Sequence, residues 1–371
     1  MKKIKILFLI HDLSVGGAEK VLVNLVNNMD SAKFDITVMA LFGGGVNEQF
    51  LKPHIKIINC FKKSFPGNSK IMKMWSPESL HRWFIKDTYD IEVSYLEGPS
   101  ARIISGCQGK EIKKICWIHT ERHDKKSSEQ AFRSHKEAEK CYQKFDRIIC
   151  VSAYVKKSFS STYNLNSPVD VLYNTNETEQ ILKLSEEPAE LDCNAIKLVG
   201  VGKVLKNKGF DRLARIHKRL REEGFPIHTY ILGIGDQQNE IERFVKENHL
   251  EDTFTFLGYQ TNPYKYVAKC DIFVCASFSE GFSTAATEAL IVGIPVVTTL
   301  VSGMEEMLGS NNEYGIIMKN DEEALYKGIK LLVEDKALRD DYAKRAKLRG
   351  TYFTTANTVR AVEEMLCEIK G

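Results

Sequence analysis

Nowhere in these 371 residues do apolar side chains continue for the ~18 positions that a membrane-spanning helix needs. The amino-terminal run from Ile4 to Ile10 ends at His11-Asp12, too soon for a secretory leader, and reads instead as a buried strand. Cysteine is present but unorganised. The nine residues, at positions 60, 107, 116, 141, 150, 193, 270, 275 and 367, form no Cys-x-x-Cys pair and no His/Cys cluster at zinc spacing. No disulfide or metal role is read from them, and a reducing cytoplasm is the expected setting. Low-complexity tracts and repeats of solenoid period are lacking too, which removes fibrous and repeat architectures. What remains is a globular composition, 43% hydrophobic and 27% charged, long enough for two domains.

Charge is unevenly spread. Residues 1–175 carry 27 Lys+Arg against 18 Asp+Glu, a net of +9, and the remainder carries 25 against 31, a net of −6. A basic first half suits an anionic membrane surface or a phosphate-bearing acceptor; an ordinary solvated surface is the plainer alternative. Short β-branched runs alternate with helical stretches throughout. Seven precede residue 176 (KIKILFLI, FDITVMAL, IKIINC, DIEVSY, KKICWIH, DRIICV, VDVLY) and six follow residue 195 (IKLVGVG, HTYILGIG, DTFTFLG, DIFVCAS, PVVTTL, YGIIMK). That rhythm predicts two parallel α/β sheets, with ligands held beyond the carboxyl ends of the strands. The expected division is a first domain over 1–177, to which a final helix at about 352–371 returns, an acidic linker over 178–195, and a second domain over 196–351.

The richest segment is DIFVCASFSEGFSTAATEALIVGIPVVTT. A strand runs into Ser279-Glu280-Gly281-Phe282, and a helix starts near Ser283-Thr284 and stops near Gly293. Free backbone N–H groups at such a helix start bind phosphate, and Gly281 permits the tight turn. Glu280 outside the turn and Glu288 inside the helix can accept hydrogen bonds from sugar hydroxyls. Upstream, VGVGKVLKNKGFDRL places Gly202, Lys203 and Lys208 around one strand-to-helix loop, where fixed positive charge would stabilise a departing diphosphate. The loop ILGIGD offers Gly233, and FLGY offers Tyr259 as a base-stacking residue. In the first half, Gly16-Gly17 precede an amphipathic helix, and His119 lies just past the strand KKICWI. Residues 61–86 interleave Lys62, Lys63, Lys70, Lys73, Arg82 and Lys86 with Phe61, Phe65, Trp75, Trp83 and Phe84. That mixture suits a peripheral contact with an anionic membrane, or aromatic packing on the core; no nucleic-acid motif accompanies it.

SEGFSTAATEALIVGIPVV closely resembles the paired-glutamate segment of the family 4 glycosyltransferases of the GT-B fold, and the likeness extends along nearly the whole chain. It implies two Rossmann-like domains facing across a central cleft, and a retaining, metal-independent, hexosyltransferase-like enzyme. Such an enzyme uses a nucleotide sugar, UDP-sugar favoured, as substrate, with no cofactor. It implies a glycan or lipid-linked acceptor in bacterial surface polysaccharide synthesis, in the cytoplasm at the inner face of the plasma membrane. By resemblance, Glu280 and His119 contact the donor sugar and Glu288 the ribose; the charges of Lys203 and Lys208 and the amides of the turn from Gly281 through Phe282, Ser283 and Thr284 are read as holding the diphosphate. Gly16 and Gly17 match the family's Gly-Gly-x-Glu, with Glu19 following. The chain departs from the family at Lys203, which is usually arginine and so loses a bidentate fork. Other departures are Glu177, usually aspartate after Asn174, and Thr298–Glu306, where Glu305 and Glu306 receive no role. A non-catalytic partner subunit and a sugar-nucleotide epimerase stay open as alternatives, separable by donor hydrolysis and by product analysis without acceptor.

Overall fold

The computed structural model describes residues 2–65, 67–121, 130–191 and 194–371. His123 and the Lys70 side chain lie outside the described residues. The chain divides into two compact units, Met1–Thr175 with Thr355–Gly371, and Asn176–Thr354.

All thirteen apolar runs form strands, and each sheet is parallel throughout. The first unit holds β1 (Ile4–Asp12), β2 (Phe34–Phe42), β3 (Lys56–Phe61), β4 (Ile91–Ser94), β5 (Lys113–Ile118), β6 (Arg147–Cys150) and β7 (Val169–Val171). They lie in the order β3-β2-β1-β4-β5-β6-β7. The second holds β8 (Ile196–Val201), β9 (Ile227–Leu232), β10 (Phe254–Gly258), β11 (Ile272–Cys275), β12 (Val296–Thr299) and β13 (Ile316–Met318), in the order β10-β9-β8-β11-β12-β13. Central strands are buried on both faces, as the unbroken apolar runs require: Ile6 to Ile10 are fully buried, and so are Ile272 to Val274.

In each sheet the order of strands reverses once, between β1 and β4 and between β8 and β11. At these switch points the loops leaving neighbouring strands part to opposite faces and open a crevice at the carboxyl edge. Gly16-Gly17 follow β1, Gly202, Lys203 and Lys208 follow β8, and Glu280 to Thr284 follow β11, whereas His119 follows β5, Gly233 β9 and Tyr259 β10.

Two boundaries need physical explanation. The stretch 178–195, expected as a linker, opens with helix Thr178–Ser185 inside the second unit. Its polar composition hid one anchor, Ile181, which packs against Tyr264 and Ile291 with Leu184 beside it. The closing helix Thr355–Lys370 belongs to the first unit. Glu363 accepts a hydrogen bond from the Asp30 amide at 2.6 Å, and Glu368 pairs with Arg147 at 2.9 Å.

Residues 61–86 divide in two. Phe61 and Phe65 gather against Phe42, with Phe84 against Phe61. Helices Asn68–Met74 and Pro77–Phe84 turn Met74, Trp75 and Trp83 outward, Met74 77% exposed and Trp83 59%. This ridge is braced from beneath. The fully buried Arg102 donates to the Met72 and Trp75 carbonyls at 2.8 and 2.7 Å and pairs with Glu137, and Arg133 donates to the carbonyls of Lys73 and Met74.

Candidate active site

In the second unit the loops after β8 and β11 meet at the switch point. Gly209 takes φ +65°, and a Cβ there would stand 2.0 Å from the Ala276 carbonyl oxygen, so only glycine lets the two loops touch. That approach delivers Lys208 to Glu280. The lysine ammonium donates to Glu280 Oε1 at 2.6 Å, and the Ser277 hydroxyl donates to the same oxygen at 2.5 Å. Both donors sit on one carboxylate oxygen, Oε1. Burial works against the Lys208 charge, yet the carboxylate beside it outweighs burial and holds the ammonium above its ordinary pKa.

Arg212, one turn into the following helix Phe210–Glu222, is almost completely buried and fixes the outgoing loop. It donates to the Ala276 and Ser277 carbonyls, each at 2.7 Å, and to Asn320 Oδ1 at 2.9 Å, with its guanidinium 4.0 Å from the Phe278 ring centre. Its charge thus satisfies loop carbonyls that would otherwise be buried without donors.

Helix Thr284–Val292 begins as its sequence requires. Ser283 caps it, accepting from the Ala286 amide at 3.3 Å, and Gly293 closes it in the left-handed conformation. Gly281, Phe282 and Thr284 surround that start, and Phe282 itself is buried against Phe353. Glu288 is buried on the inner face, where the Tyr264 hydroxyl donates to its Oε1 at 3.2 Å. Beyond β9, Gly233 lies so near the loop after β8 that a Cβ would stand 1.9 Å from the Gly202 carbonyl oxygen. Its amide donates to the Gly258 carbonyl at 2.8 Å, which zips the loops after β8, β9 and β10 together. Tyr259 follows, half-exposed.

Lys203 differs from Lys208. It is exposed, and no ion pair to it is found among the described residues.

The first unit supplies its candidates from three adjacent strands. At the end of β1, Asp12 is held by His11 Nδ1 at 2.8 Å and by the Ser14 amide at 2.8 Å, which lowers its pKa well below the usual carboxylate range, the imidazole contact leading. Gly16 precedes helix Gly17–Asn28, and the Glu19 carboxylate folds into the space that a Cβ on Gly16 would fill. After β4, Glu97 accepts from the His119 amide at 3.0 Å and from the Thr120 hydroxyl. After β5, His119 is buried, its ring 5.0 Å from Tyr95. Burial pushes its pKa down to about 4 against the opposing pull of Glu97 and the Tyr95 backbone. The ring is therefore neutral. Its Nε2 is buried with no hydrogen-bond partner among the described residues.

Ser277, Arg212, Tyr264 and Glu97 were not singled out from sequence. Ser277 and Glu97 follow strands β11 and β4, so the carboxyl-edge rule that selected His119 would have reached them. Tyr264 meets Glu288 from 24 residues away, and no local signal carries it.

Comparison with known proteins bears on this arrangement. The family model "Glycosyl transferases group 1" matches residues 185–349, and "Glycosyltransferase Family 4" matches residues 15–180. The chain is 28% identical over 360 residues, 95% of its length and 96% of the relative's, to a Campylobacter jejuni protein. That relative is N-acetylgalactosamine-N,N'-diacetylbacillosaminyl-diphospho-undecaprenol 4-alpha-N-acetylgalactosaminyltransferase. A capsular polysaccharide biosynthesis glycosyltransferase, CapM of Staphylococcus aureus, is 24% identical over 171 residues, 45% of this chain and 44% of CapM. Among solved structures, Anabaena HepE in complex with UDP superposes with a TM-score of 0.75 at 18% identity over 98% of this chain and all of that one. Sucrose-phosphate synthase of Thermosynechococcus elongatus superposes with a TM-score of 0.78 at 15% identity, over 99% of each chain. These neighbours share the two-domain GT-B fold.

Proposed function

Because this chain belongs to the group 1, family 4 glycosyltransferases, we propose that it transfers a hexosyl-type sugar from a UDP-sugar to a hydroxyl of a lipid-linked glycan, with retention of anomeric configuration. The observation that carries the reading is the Lys208–Glu280–Ser277 cluster beside the start of helix Thr284–Val292. Cation, carboxylate and helix amides meet there, as a sugar diphosphate requires.

In this account the amides from Gly281 to Thr284 and the ammonium of Lys208 hold the diphosphate, with exposed Lys203 swinging in as a second cation. Glu288 takes the ribose hydroxyls, the backbone around Gly202 and Gly233 lines the nucleotide, and Tyr259 stacks on the base. Glu280 and His119 are each assigned a hydrogen bond from a donor-sugar hydroxyl, and the helix start at Gly16-Gly17 offers its amides to an anion or a sugar oxygen. As the anomeric carbon–oxygen bond breaks, its electrons pass to the leaving phosphate oxygen. That oxygen takes the acceptor proton while the acceptor oxygen bonds to the anomeric carbon from the same face. Preorganised charge performs the stabilisation, with no protein nucleophile, cofactor or catalytic divalent metal.

The uridine donor is supported by HepE, solved with UDP and with UDP-glucose, and by TarM of S. aureus, solved with UDP. The lipid-linked acceptor is supported by the diphospho-undecaprenol in the Campylobacter relative's name. The exposed Met74–Trp75–Trp83 ridge beside Lys62, Lys63, Lys73, Arg82 and Lys86 would rest on an anionic leaflet, although no described helix is long and apolar enough to cross a membrane.

The test is transfer from a panel of UDP-, GDP- and ADP-sugars to undecaprenyl-diphosphate glycans in anionic vesicles, with and without added Mg2+ or Mn2+. Turnover with a UDP-sugar, unchanged by metal and giving an α-linked product from an α-linked donor, is expected. Inverted product or strict dependence on added metal would overturn the mechanism.

A further inference from the structure

Three side chains of the first unit have no part in this transfer chemistry. His81 lies in helix Pro77–Phe84, Glu92 near the start of β4, and Cys107 just past helix Pro99–Ile104. Each offers one metal-ligating atom, and the three atoms all lie within 4.8 Å of one another, the one such group among the described residues. His81 Nε2 is 2.8 Å from Glu92 Oε2. The cluster is interior: the Glu92 side chain is 1% exposed, that of His81 16%, and Cys107 is buried. Packing forces this meeting. A Cβ on Gly106 would stand 2.0 Å from the Pro77 carbonyl oxygen, so the turn bearing Cys107 is pressed against the first turn of the His81 helix.

We propose that His81, Glu92 and Cys107 form a binding site for one borderline divalent transition-metal ion of the zinc(II) kind. The sealed Glu92 carboxylate is paired with His81 at 2.8 Å, and a dipositive ion held between them would take over that neutralising role. Imidazole, thiolate and carboxylate are together the donor set that zinc takes, whereas Mg2+ and Ca2+ ask for oxygen alone. A dipositive ion bound to one carboxylate, one thiolate and one neutral imidazole leaves the buried group electrically neutral, the Cys107 thiol proton and the extra proton of His81 passing to solvent as the metal–sulfur and metal–nitrogen bonds form. Three protein ligands leave a fourth position for water, and the partly open edge at His81 gives the ion a way in. Glu92 lies in register with Leu7 and Lys114 toward the amino ends of β4 and β5, whereas His119 and Glu97 follow the carboxyl ends. The ion would therefore pin helix Pro77–Phe84 and the turn at Gly106 to the sheet, not take part in sugar transfer. Sequence reading found no zinc spacing because the ligands, at 81, 92 and 107, are joined only through tertiary packing.

The experiment uses the full chain, reduced, stripped with a chelator and reloaded with Co2+ or Zn2+. One equivalent per chain retained through gel filtration is expected, with a near-ultraviolet thiolate-to-cobalt band, a raised Tm, and protection of the Cys107 thiol from alkylation. Cys107→Ser should abolish the band and the retention, Glu92→Gln should weaken binding at least 10-fold, and Cys367→Ser, at an exposed cysteine, should change neither. Absence of retained metal in the wild-type chain would overturn the proposal. So would retention undiminished in Cys107→Ser, or a Co2+ form without the band and with Cys107 fully alkylated. The alkylation and spectral readouts need no variant, and the proposal stands apart from the identity of the sugar donor.

Discussion

The carboxyl edges of the two sheets are built to different degrees. In the second unit nearly every expected ligand group is already held: Glu280 by Lys208 and Ser277, Glu288 by Tyr264, and the intervening loop by the buried fork of Arg212. In the first unit His119 Nε2, past the carboxyl end of β5, has no hydrogen-bond partner among the described residues, and away from that edge the Met74–Trp75–Trp83 ridge turns outward. A preorganised side suits a ligand whose diphosphate and nucleotide are constant. A sparser unit, which in the proposed account gives the donor sugar one side chain, His119, leaves its outward ridge for a glycan or lipid that varies from enzyme to enzyme of one fold. Charge follows the same division, because the basic half carries the open ridge.

The largest effect that would break this contrast lies at Glu280. Glu280→Gln keeps the shape but loses the charge that holds Lys208 and that, in the proposed account, accepts the sugar hydroxyl, and kcat/KM should fall by about 10²–10³-fold. Steady-state kinetics check it; a fall smaller than 10-fold would say that the cluster is structural only. Next comes Gly209→Ala. The substitution sets a methyl 2.0 Å from the Ala276 oxygen at a left-handed φ, and should cost about 1–3 kcal/mol, read from chemical denaturation. UDP affinity should fall with it, since the two loops can no longer touch.

The first unit should respond more gently. His119→Ala removes one acceptor, and kcat/KM should drop about 10-fold with UDP affinity unchanged. The pH dependence has a definite sign. His119 accepts only when neutral, and its pKa is pushed down to about 4, so its contribution is complete above that value and is lost as pH falls through it. A pH–rate profile in which only the wild-type enzyme loses this contribution near pH 4, and not near 6.5, would sharpen the assignment.

Much of this was legible in the sequence, for local reasons. The central runs are buried on both faces, and even the more exposed edge runs β3 and β7 keep β-branched residues between turn signals, so all thirteen strands could be read directly. The turn at Gly281 and the cap at Ser283 depend on residues within a few positions of one another, and so could the helix end at Gly293. What escaped depends on contacts between distant segments. Tyr264 on Glu288, Arg212 beneath Ser277 and Glu97 on the His119 amide each join separate loops. The helix Thr178–Ser185 was missed because its single buried anchor, Ile181, leaves an otherwise polar segment that reads as a linker. Lys203 and Lys208 look alike on one loop in sequence. Only the fold separates them, burying one against a carboxylate and leaving the other in solvent.

The central claim is that the β8–β11 edge of the second unit grips a diphosphate through Lys208 and the helix start at Ser283. Calorimetric titration of UDP and of uridine into the wild-type chain and into Lys208→Met tests it most directly. UDP should bind the wild type at least 10-fold more tightly than uridine, and most of that advantage should vanish in Lys208→Met while uridine binds both alike. Equal affinity for UDP and uridine in the wild type, or an undiminished UDP advantage in the variant, would contradict it.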